Sequence, residues 1–174
     1  MNRADLARNR RRGFTLIETA LATVIVGTAV LAMMQLLVVC TQANRASSDM
    51  TTAMYLAGNL QEAMADLPFN DPSGAGFGRE ESNAILAWDD IDDFNGFDSS
   101  ATADRLPVDS QRQPIAAMAN YAQIVTVAEV SMNNLSTTAA GSDAKRITVR
   151  VIYRPENGEP QVELYRTSWV RVRS

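Results

Sequence analysis

Apolar and polar positions divide the chain into three stretches of different period. From Phe14 to Cys40 there are 27 residues of almost continuous apolar character, with Glu18 as the one charge. A helix of that length is about 40 Å long, enough to cross a hydrocarbon core of about 30 Å. Beyond it, Ala46, Met50, Ala53, Ala57, Leu60, Met64 and Leu67 step alternately by four and three, which predicts an amphipathic helix with one apolar stripe. Pro68 is expected to end that helix. Residues 68–118 have no clear period and are rich in Pro, Gly, Asp and Ser, the signature of a long connection. The period then becomes two. Ala122, Ile124, Thr126, Ala128, Val130 and Met132 share one face of a predicted strand, opposite Gln123, Val125, Val127, Glu129 and Ser131. Both faces are partly apolar, which predicts a central strand. Ile147, Val149, Val151 and Tyr153 alternate with Arg146, Thr148 and Arg150. Asn157-Gly158 marks a turn before a last strand over Val162–Val172, and Gly141-Ser142-Asp143 marks another. The expected fold is α+β, one long helix on a small antiparallel sheet. A coiled-coil partner could use the same helix stripe, but packing on the chain's own sheet is the simpler use.

Composition narrows the chemistry. The 174 residues suffice for one modest domain and one membrane helix. There is no histidine, so His-based triads and His-ligated metals are excluded, and the single Cys40 allows no intrachain disulfide. The net charge of -4 is uneven. Residues 1–13 carry Arg3, Arg8, Arg10, Arg11 and Arg12 against Asp5, and without them eleven basic side chains face nineteen acidic ones, a net of -8. So acidic a domain is a poor binder of nucleic acid, and none is expected as a partner. Basic flanks stay cytoplasmic, so the part after residue 41 is expected on the far side of the membrane.

The N-terminal segment discriminates further. A secretory signal has a shorter apolar core and a small-residue cleavage site after it. A plain signal anchor accounts for the length and the arginines but gives no reason for Glu18, since a charge within a span costs at least about 2.5 kcal/mol. Arg12-Gly13-Phe14-Thr15-Leu16-Ile17-Glu18 resembles the type III signal of the type IV pilin superfamily. The resemblance is tight over residues 8–40 and architectural beyond them. It implies that a prepilin peptidase cuts after Gly13 and methylates Phe14, which makes Glu18 the fifth residue of the mature chain and Gly27 the fourteenth. It also implies that Glu18 serves subunit assembly by neutralising the new α-amino group of a neighbour in an apolar bundle. Expected partners are the peptidase, other pilin or pseudopilin subunits, the inner-membrane assembly platform and membrane lipid. The expected location is a bacterial inner membrane, single-pass, N-terminus cytoplasmic and C-terminal domain periplasmic, and then a pilus or pseudopilus.

The resemblance names the fold as a pilin fold and sets its parts: a cleaved leader over 1–13, a transmembrane and filament-core helix over 14–40, an amphipathic helix over 41–67, an αβ-loop over 68–118 and the sheet over 119–174. Major pilins often carry proline where this chain has Gln35, so the expectation is a minor pilin or pseudopilin. Ala57–Met64 is similar to the matching helix of minor pilins of type II secretion and mannose-sensitive haemagglutinin pilus systems.

One cluster in the loop stands out. Asp89, Asp90, Asp92, Asp93 and Asp98 lie within ten residues, interleaved with Trp88, Ile91, Phe94 and Phe97. Such oxygen donors suit calcium, a hard cation taking about six to eight oxygens, although the spacing is not that of an EF-hand. Calcium is thus a candidate cofactor, and a membrane-tethered periplasmic binding module with a calcium or ligand loop is the alternative function. The simpler reading has the apolar residues anchoring the loop while the aspartates face water. Gly74-Ala75-Gly76-Phe77-Gly78 lacks the strand, helix and lysine of a nucleotide loop. No nucleophile–base pair is visible, and no enzymatic role is expected.

Overall fold

The computed structural model describes residues 14–72, 74, 76–80, 84–101, 106–155 and 159–173. Gly13, the arginines before it and the Asn157-Gly158 turn lie outside them. The chain divides into two compact units, residues 1–45 and 46–174.

Helix α1 covers Leu16–Ala63, and all described residues up to Ser48 are exposed. Its N-terminal part is the one described helix long and apolar enough to cross a membrane. The polar side chains there turn inward on the backbone. Thr19, Thr23 and Thr28 donate their hydroxyls to the carbonyls of Leu16, Thr19 and Ile25 at 2.9, 2.6 and 2.9 Å, which leaves little unsatisfied polarity on an apolar surface.

In the second unit four antiparallel strands follow: β1 (Tyr121–Ser131), β2 (Asn134–Thr138), β3 (Ala144–Tyr153) and β4 (Val162–Val172), in spatial order β2-β1-β3-β4. The chain is α+β with a pilin-type arrangement of helix and sheet. β1 is central, as its two-sided apolar pattern predicts. The helix-facing side is Gln123, Val125 and Val127, with Ile147, Val149 and Val151 beside it on β3. Gly141, at φ 73°, closes the turn into β3 in a left-handed conformation that glycine adopts freely. β2 was not foreseen. Its residues Asn-Leu-Ser-Thr-Thr are all exposed, so no face imposes a hydrophobic alternation. It arises as a hairpin arm on β1, whose pairing jumps from Val130↔Thr138 to Ser131↔Asn134.

Ala53, Leu56, Ala57, Leu60, Ala63 and Met64 form the buried face of α1. The expected stripe omitted Leu56 and Ala63 and included Ala46 and Met50, which are exposed. A strict seven-residue step drifts across the surface of a 3.6-residue helix, and the sheet covers a wider, shorter arc than that seam. The helix ends at Ala63, before the expected Leu67. Its last turn tightens, with Ala65 N–H bonding to the Glu62 carbonyl at 3.0 Å. Arg171 of β4 then donates to the carbonyls of Met64, Ala65 and Leu67 at 3.1, 2.8 and 3.1 Å. A cation on the orphan carbonyls also complements the helix dipole.

Further polar ties between helix and sheet come from Tyr121 and Gln123. Tyr121 donates to Asp49 at 2.8 Å, and burial with that carboxylate raises its phenol to about 12. Gln123, fully buried, donates to the carbonyls of Leu56 at 2.8 Å and Val108 at 3.0 Å and accepts from Val108 N–H at 2.7 Å. Gln123→Leu strands the buried N–H and carbonyl of Val108 and removes the second donor from the Leu56 carbonyl. It is expected to cost about 3 kcal/mol, read as a lowered melting temperature of the full chain in detergent. An unchanged melt would remove Gln123 from this role.

Candidate functional site

The first unit holds the candidate processing and assembly residues that are described. Phe14 is 75% exposed and Leu16 88% exposed. Thr15 precedes the helix, and its carbonyl accepts from the N–H groups of Glu18 at 3.0 Å and Thr19 at 3.2 Å. Glu18 reaches back to the Thr15 N–H at 3.4 Å and its hydroxyl at 3.5 Å. This is the glutamate half of a capping box, with Thr15 at the N-cap and Glu18 three residues on. The carboxylate also sits where the helix dipole favours negative charge. Helix capping thus gives Glu18 a use within the chain itself, one that a plain membrane anchor would share. The Thr-x-x-Glu spacing was the signal that could have shown this.

In the second unit, the acidic cluster is built around a buried aromatic core. Trp88 meets Phe94 edge-on at 4.9 Å and Phe97 at 5.8 Å. The Arg79 guanidinium lies 4.1 Å over the Trp88 ring, and Arg112 lies 5.5 Å from Phe94. Both arginines also bind main chain, Arg79 to the carbonyls of Asp93 and Asn95, and Arg112 to those of Ile85 and Trp88. Arg112 has a left-handed backbone, φ 64°, held by the Asp109 carboxylate accepting from Gln111 and Gln113 N–H. At the end of the loop Gly96, also left-handed at φ 74°, begins a short pairing with β1. There Val125 N–H donates to Phe97 at 2.9 Å and Ser99 N–H to Gln123 at 3.0 Å.

The expectation that the apolar residues anchor the loop holds for Trp88, Ile91, Phe94 and Phe97, all buried. The expectation that the aspartates face water fails for Asp90, Asp92 and Asp93, each at most 1% exposed. Their carboxylates replace secondary structure as acceptors for the tight turn. Asp93 takes the N–H groups of Asp89 and Asp90 at 2.9 and 3.2 Å, while Asp90 takes those of Asp92 and Asp93 at 2.8 and 3.1 Å. Burial, then the neighbouring Asp92 charge, raises the Asp90 carboxyl to about 7. Asp92 accepts from Gly78 N–H at 2.9 Å and is ion-paired with buried Lys145 of β3. Lys145 also donates to the Phe69 carbonyl and sits 4.6 Å from the Phe69 ring. Asp98 holds Ser100 through its N–H and hydroxyl, and Asp89 remains exposed. Of the five carboxylates expected as calcium ligands, those of Asp90, Asp92, Asp93 and Asp98 thus go to protein partners and that of Asp89 faces outward. Among the described residues no three acidic or cysteine side chains form a set able to hold a metal ion. Sequence reasoning missed Lys145, Arg79 and Arg112, since nothing in a strand or loop pattern tells which cation will be buried.

Residues 8–34 match the family model described as the prokaryotic N-terminal methylation motif. That is the type IV pilin prepilin signal, and here it leads into a long apolar helix and a pilin-type α+β fold. The chain therefore carries a prepilin-type signal at the head of its long apolar helix. The motif implies processing by a prepilin peptidase and assembly with other pilin subunits. No curated protein and no solved structure matches the chain.

Removing Lys145 leaves Asp92 charged and buried without its cation. Lys145→Met is expected to destabilise by about 3–5 kcal/mol, and Lys145→Met with Asp92→Asn by clearly less. Equal melts for the single and double variants would show that the pair is not what holds the loop to β3.

Proposed function

We propose that this chain is a minor pilin or pseudopilin, a non-enzymatic structural subunit of a type IV pilus or a type II secretion pseudopilus. The match over residues 8–34, continued by an exposed apolar helix, carries the reading. The chain is inserted as a single-pass inner-membrane protein with its arginines cytoplasmic and its sheet periplasmic. A prepilin peptidase cuts after Gly13 and methylates Phe14. An assembly platform then moves the subunit from lipid into a bundle of like helices, where Leu16, Ile17, Leu21 and the apolar residues beyond them exchange lipid contacts for packing.

Glu18 has two roles in this account. It caps its own helix before assembly, and in the filament it stands beside the α-amino group that cleavage creates. N-terminal sequencing of protein extracted from host membranes is expected to begin at Phe14, and any other mature terminus overturns the processing site. Glu18→Ala is expected to be cut normally but to fall at least about ten-fold in the sheared filament fraction. Glu18→Gln keeps much of the cap without the charge, and near-normal incorporation of that variant would leave capping as the whole role.

A further inference from the structure

The second unit distributes its charges unevenly along the chain. Residues 46–119 hold thirteen acidic side chains against three basic ones, and residues 120–174 hold seven basic against five acidic. On the sheet surface turned away from α1, Arg146, Thr148 and Arg150 of β3 stand in register with Val170, Ser168 and Arg166 of β4. Arg150 and Arg166 are directly opposite each other, an arrangement that costs free energy between like charges. A single carboxylate, Glu163, binds both, at 2.7 and 2.8 Å, and the two guanidinium groups hold it below its ordinary range. With Arg146 the face keeps an excess of positive charge around a flat centre of Thr126, Thr148 and Ser168.

The other side of the unit has the opposite problem. Glu62 and Asp66 lie four residues apart at the C-terminal end of α1, both exposed. The last turn of the helix contains no basic residue. Acidic groups there oppose the helix dipole, and among the described residues neither joins an ion pair.

We infer that the Arg146/Arg150/Arg166 face of one copy docks on the Glu62/Asp66 helix end of a second copy of this chain. Glu163 offsets only part of the charge of the three arginines, and Arg171, which caps the carbonyls at the helix end, offsets only part of that of Glu62 and Asp66, so a net charge of opposite sign remains on each patch. The helix packs on the inner face of the sheet and the arginines lie on the outer face, so the two patches are on opposite sides of the unit. A contact between different patches is heterologous, and unless rotation closes a ring it repeats without end. The inference rests on the filament reading and assigns it a lateral contact outside the membrane helices.

The test uses full-length chain in host membranes with Cys40→Ala, and with Gln61→Cys and Ser168→Cys placed beside the two patches so that all the charges remain. Oxidative cross-linking is expected to give a ladder of dimers and higher species that fades as salt is raised. Arg150→Glu with Arg166→Glu is expected to reduce the ladder at least about five-fold. Adding Glu62→Arg and Asp66→Arg is expected to restore it. A ladder indifferent to charge reversal and salt overturns the docking, as does no cross-link at all or dimer alone. A mature terminus at Phe14 and a sheared filament fraction from the unmodified chain report on the filament reading separately. Loss of the ladder with both of those intact removes this contact and leaves that reading standing.

Discussion

The carboxamide of Gln123 is the point at which helix, loop and sheet become one body. Its nitrogen binds a carbonyl of α1 and one of the connecting segment, and its oxygen takes the returning N–H of Val108. A main-chain carbonyl inside a helix is normally already used, so a second donor at Leu56 fixes the position of the helix along the sheet rather than merely its contact with it. The apolar residues around it, Leu56, Leu60, Val125 and Val149, are indifferent to small slips. Three directional bonds in a fully buried place are not.

Much of this was legible in the sequence, for identifiable reasons. The apolar run from Phe14, the two-sided strand at Tyr121 and the alternation of Ile147, Val149 and Val151 all repeat a simple period, and periods survive without knowledge of the partner. Leu56, Ala63 and the strand Asn134–Thr138 were missed where the period was either approximated by heptads or absent. The acidic loop was misread in a more instructive way. A run of aspartates looks like solvent exposure, yet Asp90 and Asp93 are buried and accept each other's turn N–H groups. In a segment without helix or strand, buried main-chain donors must find acceptors somewhere, and short carboxylates reach donors two to four residues away in either direction. The pattern records backbone demand.

The same demand explains the cations of the connecting segment. Arg79 and Arg112 cover aromatic rings while their N–H groups take up loose carbonyls. A guanidinium is suited to both tasks because it is planar, weakly hydrated and rich in donors. The described parts of that irregular segment are thereby tied to the core cluster that Trp88, Ile91, Phe94, Phe97 and Val108 join. Among the described residues of the N-terminal unit there is no comparable set of ties, and they leave a large apolar surface exposed.

Arg171 gives the order of events in the chain's own synthesis a structural meaning. The carbonyls of Met64, Ala65 and Leu67 wait for a side chain that leaves the ribosome more than a hundred residues later. Until β4 pairs with β3, the helix has a frayed lower end and the sheet lacks an edge, so native contacts of high sequence separation form together and late. A chain truncated anywhere before β4 therefore loses more than a strand. It loses the cation that satisfies the carbonyls beyond the end of a 48-residue helix.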